Sequence, residues 1–266
     1  MTAIVNPLGV FVRSCWFQYL GMFNWATPIG YVSYKLLMPI SQILFFTELG
    51  IFATGRSNAL YFALGNALQL TAINGIFGVI MTVGNERQYG TLPILLGSPA
   101  NRLITFLSRA FVHVLDGMLG VAVGLGLAIL LFQLDFSHAN LGLLAVCVVM
   151  ISLSTAGLGL MFGSLSLIMR DVLFIANTVY FLLLVFCGIN VPVSRLPEWM
   201  QLISSGLPLT RGVQAAREAV AGASLGQVSG LLAGELGIGL IYAVIGYALF
   251  RWLEQQARRG GLQEAY

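Results

Sequence analysis

Groups able to do chemistry are sparse in this chain, and their spacing limits what they can do. The 2 histidines, His113 and His138, are too few for a multi-histidine metal site. His113 and Asp116 stand three apart, so on a helix they share one face. Inside an apolar segment such a pair can relay a proton or bind a cation. More often it is a local hydrogen-bonded couple that faces other helices. Glu48 and Glu235 fall near the ends of apolar runs, from which a carboxylate snorkels to the headgroups. The 3 cysteines, Cys15, Cys147 and Cys187, are odd in number, widely spaced and free of any C-x-x-C pattern, which argues against a metal or redox site. Cys147 and Cys187 lie in apolar runs, where cysteine serves as a small buried hydrophobe. The sequence holds no G-x-x-x-x-G-K-[ST] and no H-E-x-x-H, so no P-loop nucleotide or zinc-protease chemistry is written in it.

Uncharged polar side chains are the other candidates. Gln42, Asn66, Gln69, Asn74, Asn177 and Tyr180 all sit inside apolar segments. In lipid such groups must face protein or a cavity. They either line a path or tie helices together, and both uses fit the same pattern.

The elements that carry these residues follow from composition. Of 266 residues, 58% are hydrophobic and 9% charged, with a mean hydropathy of +0.89. Soluble domains carry about 25% charge, so this composition cannot coat a soluble globule. The net charge of +3 is small and its Lys and Arg are scattered, which excludes a nucleic-acid binder. The reading is an all-α polytopic protein of the lipid bilayer. A span needs about 20 mostly apolar residues. Six segments qualify: 31–53, 58–83, 104–132, 140–166, 172–191 and 229–252. Residues 1–9 lack the basic and apolar regions of a signal peptide, which leaves the N-terminus expected in the cytoplasm. Lys and Arg then concentrate inside, at Arg13, Lys35, Arg87, Arg102, Arg109, Arg170, Arg251, Arg258 and Arg259. Arg56, Arg195, Arg211 and Arg217 fall outside, so both termini are expected in the cytoplasm.

Three stretches do not span. Residues 8–26 mix Phe11, Trp16, Phe17, Tyr19 and Trp25 with Arg13, Gln18 and Asn24, which suits a helix lying in the inner interface. Residues 85–101 are polar first, then apolar at Leu92, Ile94, Leu95 and Leu96, and close at Ser98-Pro99, as a short amphipathic helix ending before a proline does. Residues 191–226, with Pro192, Pro197 and Pro208, read as short broken helices half-inserted at the outer face. No internal repeat is visible, which lowers the case for an inverted-repeat carrier.

The link is the informative piece. N-E-R-Q-Y-G-T-L-P-I-L-L-G-S-P resembles the second-to-third-span link of bacterial type-2 ABC transporter permeases, where E-R-x-x-G-T-L-x-x-L-L-x-S-P recurs. Glu86, Arg87, Gly90, Thr91, Leu92, Leu95, Leu96, Ser98 and Pro99 match it; Pro93 stands where the family often has Glu. Met169-Arg170-Asp171 is similar to the family's turn between the fourth and fifth spans. Gly188-Ile189-Asn190-Val191-Pro192, Leu196-Pro197-Glu198-Trp199 and Leu207-Pro208-Leu209-Thr210 with Arg211 and Arg217 resemble its outer re-entrant region. The likeness is greatest to permeases of the daunorubicin-resistance kind and to nodulation lipo-oligosaccharide exporters.

The resemblance implies a single permease domain over 1–266. It has an interfacial helix at 8–26, a coupling helix at 85–97, an outer re-entrant region at 192–226 and a cytoplasmic tail at 253–266. It implies a bacterial inner-membrane exporter subunit that pairs with a second permease, identical or related, and with two cytoplasmic ATPases. ATP and Mg would sit on those partners, and this chain would hold no cofactor and no catalytic group. Glu86 and Arg87 would make charged contacts to the ATPase, Leu92, Leu95 and Leu96 would pack there, and Gly90 and Thr91 complete the motif. By the same analogy Asn66, Gln69, Asn74, Asn177 and Tyr180 become path residues. A drug, natural product or lipid-linked molecule is the expected cargo. An ATPase-independent channel or ion-coupled carrier using His113, Asp116 and Glu48 is the alternative. An intramembrane enzyme is disfavoured by the lack of clustered His, Asp or Cys.

Overall fold

The computed structural model describes residues 7–25, 27–88, 90, 102–166, 169 and 171–259. Among them every regular element is helical. α1 is Pro7–Trp25 and α2 is Pro28–Thr54. A 3₁₀ turn, Arg56–Asn58, leads into α3, Ala59–Ala72. A π-helical turn, Ile73–Gly78, joins α3 to α4, Val79–Gln88. α5 is Arg102–Phe132, α6 Leu141–Leu165 and α7 Val172–Phe186. A second 3₁₀ turn, Val193–Arg195, precedes α8, Glu198–Gly206, and α9, Thr210–Val220. α10, Leu225–Arg259, closes the chain.

Local chemistry sets the starts. Thr27 accepts from the Gly30 amide with Pro28 behind it, an N-cap followed by proline in the first turn. Asn140 caps α6 through the Leu143 amide at 3.1 Å, and Asp171 caps α7 through the Phe174 amide at 2.9 Å.

Among the described residues five helical segments are long and apolar enough to cross a membrane: Ile29–Thr54, Arg56–Thr82, Ala110–Phe132, Leu141–Leu165 and Leu225–Leu253. They form a multi-pass bundle. The second is 83% buried and the fourth 61%, whereas the first and last are 22% buried, so α3 and α6 are the inner posts and α2 and α10 present side chains to lipid. The expected fifth span is shorter than 172–191. α7 stops at Phe186, and at 1.5 Å per residue its 15 residues reach only about 22 Å against a core of about 30 Å. The stop is backbone-coded: Gly188 takes φ 74, and Pro192 follows. At the other end α10 continues to Arg259, so helix extends into the segment expected to be a tail.

At one end of the bundle α4 and α6 end and α5 and α7 begin. The far end carries residues 187–224. α9 is seated in the bundle there: Val213, Ala215, Ala216 and Ala219 are fully buried. α1 lies along α5. Phe11 meets Phe111 at 5.7 Å between ring centroids, and Cys15 donates to the Ser108 carbonyl at 3.4 Å. Leu8, Val12, Trp16 and Leu20 face outward.

The α6–α10 contact is close because its residues are small. A Cβ on Gly239 would lie 2.5 Å from Ser154 Cα, inside any permitted contact. Ser164 donates across the same seam to the Gly246 carbonyl at 2.8 Å. Gly239→Val must push α10 off α6 and is expected to cost about 1–3 kcal/mol. A thermal-unfolding midpoint of the purified variant equal to wild type would contradict this packing.

Candidate functional site

The residues expected to line a path do not form one cluster. Asn66, on α3, is fully buried; its amide donates to the Phe62 carbonyl at 2.9 Å and to Asn190 Oδ1 at 2.8 Å. Gln69, one turn further along, is also buried, and its amide and that of Gln42 face the Tyr180 hydroxyl between α2, α3 and α7. The Tyr180 ring stands edge-on to Phe77, 6.1 Å away. Asn74, in the π turn, donates to the Leu70 carbonyl at 3.0 Å and accepts from Lys35 Nζ at 3.5 Å. Asn177 turns away from the bundle, exposed on α7 and bonded to its own Leu173 carbonyl.

Of the link, α4 carries Glu86 and Arg87 on helical backbone up to Gln88. Gly90 sits exposed in a turn at φ 68. The remainder of the expected 85–97 helix, with Thr91, Leu92, Leu95 and Leu96, lies outside the described residues.

His113 and Asp116 share a helix face but not a bond. His113 Nε2 lies 3.0 Å from Thr82 Oγ1 and 3.1 Å from the Gln18 amide nitrogen. It thus joins α1, α4 and α5 next to the link. Asp116 instead pairs with Lys35, Oδ2 to Nζ at 2.7 Å, with both side chains over nine-tenths buried. The Tyr31 hydroxyl donates to its other oxygen, and Lys35 also reaches the Asp116 carbonyl at 3.0 Å. Sequence reasoning missed this pair, although the charge pattern carried a signal for it. Lys35 is the lone cation of its span and Asp116 the lone acid of a neighbouring one, each toward the link end. Glu48 lies thirteen residues along α2 from Lys35, about 20 Å up the axis, and exposed. The three ionisable groups of a carrier site are therefore not brought together.

Glu235 departs most from expectation. It does not snorkel: its side chain is fully buried. One oxygen accepts from the Leu209 amide at 2.5 Å and from the Ser154 hydroxyl; the other accepts from the Gly212 amide at 3.0 Å. A carboxylate thus caps α9, where the helix dipole favours negative charge. The chain enters that cap through Leu209 at φ 78, a left-handed conformation uncommon outside glycine. Near the other end of α9, Arg217 Nη1 donates to the Gly188 carbonyl at 2.8 Å. Its Nη2 donates to the Ile189 carbonyl at 3.0 Å and to the Tyr61 carbonyl at 3.3 Å. The guanidinium lies 3.5 Å from the Tyr61 ring centroid. Burial pushes the Arg217 guanidinium down to about 10, so it stays charged at neutral pH.

Buried ion pairs make a clear test. Removing one partner strands a charge and costs about 3–5 kcal/mol, whereas apolar replacement of both is close to neutral. Lys35→Met and Asp116→Leu should each lower the unfolding midpoint sharply, and the double variant should recover most of the loss. Equal losses that simply add would show that the pair is not a unit.

The sequence profile of the ABC-2 type transporter family matches residues 12–220. Two curated relatives, from Escherichia coli strain K12 and from Escherichia coli O157:H7, bear the name "Probable multidrug ABC transporter permease YbhR". Each is 28% identical over 133 residues, which covers 50% of this chain and 36% of the relative, so the match spans about a third of their length. The family match takes in the link, the inner posts and the helices of the far end alike, and on that extent the chain belongs to the ABC-2 type transporter family.

Proposed function

We propose that this chain is the membrane-spanning permease subunit of an ATP-driven exporter in a bacterial inner membrane, with both termini in the cytoplasm. Its cargo is amphipathic or hydrophobic: a drug, a natural product or a lipid-linked molecule. Two cytoplasmic ABC ATPases hold the ATP and Mg, and this chain binds no cofactor and hydrolyses nothing. The observation that carries the reading is the family match across residues 12–220, which includes the E-R-x-x-G-T-L link. The name of the curated relatives supports a multidrug cargo.

The coupling role falls to the link. Glu86 and Arg87 make the charged contacts, Leu92, Leu95 and Leu96 pack in a cleft of the ATPase, and Gly90 and Thr91 shape the turn between them. A left-handed turn at Gly90 supports this arrangement, because it ends α4 abruptly beside the link. Closing ATPases then move the link as a rigid body.

The pathway runs between two permeases. α7 exposes Asn177 and Thr178 among Leu173, Phe174, Phe181 and Leu182. An amide and a hydroxyl facing hydrocarbon are unfavourable, so a second permease, identical or related, covers this face. Gln69, Asn66, Asn74 and Tyr180 stand behind it as the polar side of the path. The far-end helices are its outer, re-entrant closure.

Affinity purification of the tagged chain from native membranes should bring down a P-loop ATPase in stoichiometric amount. The charge reversal Glu86→Arg with Arg87→Glu should leave membrane insertion intact, lose that ATPase and lower efflux at least tenfold. A reversed chain that transports as well as wild type would remove the coupling role from this link.

A further inference from the structure

The far end holds a polar cavity that the coupling and path residues leave unused. It has a volume of about 460 Å³ and an open mouth, and lies between the 187–194 segment, α8 and α9. Arg211, Arg217, Gln201, Gln214, Thr210 and Ser194 supply its hydrogen-bonding lining, and no carboxylate lines it. Of the nearby acids, Glu235 is committed to the start of α9, and Glu218 accepts from the Gln214 amide at 3.1 Å. Arg217 is held rigidly by three carbonyls and the Tyr61 ring, yet its Nε, buried, donates to nothing. Arg211 spends one Nη on the Ser205 carbonyl at 2.7 Å. Two guanidiniums, of which Arg217 is anchored, make the site acceptor-seeking, and a tetrahedral oxyanion matches that donor geometry best.

α8 gives the cavity a second property. Gln201 and Ser205 turn toward it, one helical turn apart. Pro192, Val193 and Leu231 also line it, so part of the cavity wall is apolar, and Leu202, next to Gln201 on α8, is exposed. The volume lies at the small end of ligand pockets. It accommodates a headgroup, and a chain attached to that group leaves along α8.

We propose that this cavity binds the phosphate headgroup of an anionic amphiphile, with Arg211 and Arg217 on the phosphate and the apolar tail along Val193 and Leu202. The assignment goes beyond the export reading and does not need it, since the cavity is at the end opposite the link and binding requires no ATPase.

The full chain, purified in an uncharged detergent, is titrated calorimetrically with dihexanoyl phosphatidic acid, dihexanoyl phosphatidylcholine and inorganic phosphate. Phosphatidic acid should bind saturably, and at least tenfold more tightly than either other probe. Arg211→Gln and Gln201→Glu should each weaken it at least tenfold, one by removing a cation and the other by adding a repelling carboxylate. Both leave the three carbonyl contacts of Arg217 in place, and an unfolding midpoint near wild type checks that each variant is folded. Inorganic phosphate binding as tightly as phosphatidic acid would make the ligand a free oxyanion and overturn the amphiphile. Phosphatidylcholine binding equally well, folded variants that bind as wild type does, or no saturable binding would overturn the site. A chain that fails to export but still binds phosphatidic acid would leave this assignment standing.

Discussion

The carboxylate of Glu235 fixes the far end of the bundle. It meets two backbone amides and a hydroxyl at a depth where water is excluded. In such a place each unsatisfied backbone group costs several kcal/mol. α9 begins inside the bundle, so its first amides need an acceptor from elsewhere, and α10 supplies one. The rest follows in order. With its start held, α9 packs Val213, Ala216 and Ala219 against α6 and α10. With α9 held, Arg217 reaches the carbonyls of Gly188 and Ile189. Those carbonyls belong to the chain leaving α7, and Ser204 of α8 donates to the Phe186 carbonyl at 2.7 Å, so the 15-residue helix ends early with its last carbonyl bonded.

The link end uses different chemistry for the same problem. Lys35 and Asp116 neutralise each other between α2 and α5, and Tyr31 and Asn74 take up remaining hydrogen-bonding capacity. His113, Thr82 and Gln18 bind α5, α4 and α1 into one corner. Thr82 lies six residues before the last residue of α4, so a displacement of the link is felt first by α1 and α5. The π turn at Ile73–Gly78 sits in the same span, just above this corner. Single π turns interrupt the helical ladder and often mark positions where function needs adjustment.

Much of this was legible in the sequence, for identifiable reasons. The spans are long charge-free runs, and hydrocarbon admits little else, so composition located them. The early stop of α7 was only partly legible: Pro192 announces an end, but the left-handed Gly188 that sets it four residues sooner is one glycine among 31. The Lys35–Asp116 pair was not legible in the sequence, where Asp116 matches His113 three residues away and Lys35 counts only as an inner charge. Glu235 was misread because its partners at positions 209 and 212 are backbone amides, 26 and 23 residues away, and they leave no side-chain signature. Position near the end of an apolar run describes a snorkelling carboxylate and a helix cap equally well. Only the fold separates them.

The polar residues of the spans differ in a way that bears on movement. Asn66, Asn74, Asn177 and Thr178 each donate to the carbonyl four residues back in their own helix. Such a group takes a partner with it when its helix moves. Separating α3 from the 187–191 segment breaks the Asn66–Asn190 contact and leaves one amide acceptor to be satisfied, rather than a bare side chain in hydrocarbon. Glu235 and Arg217 have no such fallback. Nearly every bond they make crosses to another element. Pulling α9 from α10 would strand a carboxylate, and pulling it from α7 would strand a guanidinium, each at a cost of several kcal/mol. The far end, with the Tyr61 end of α3 and the exit of α7 that Arg217 holds, is therefore bound as one body, and the side chains that keep a bond within their own helix lie further along α3 and α7.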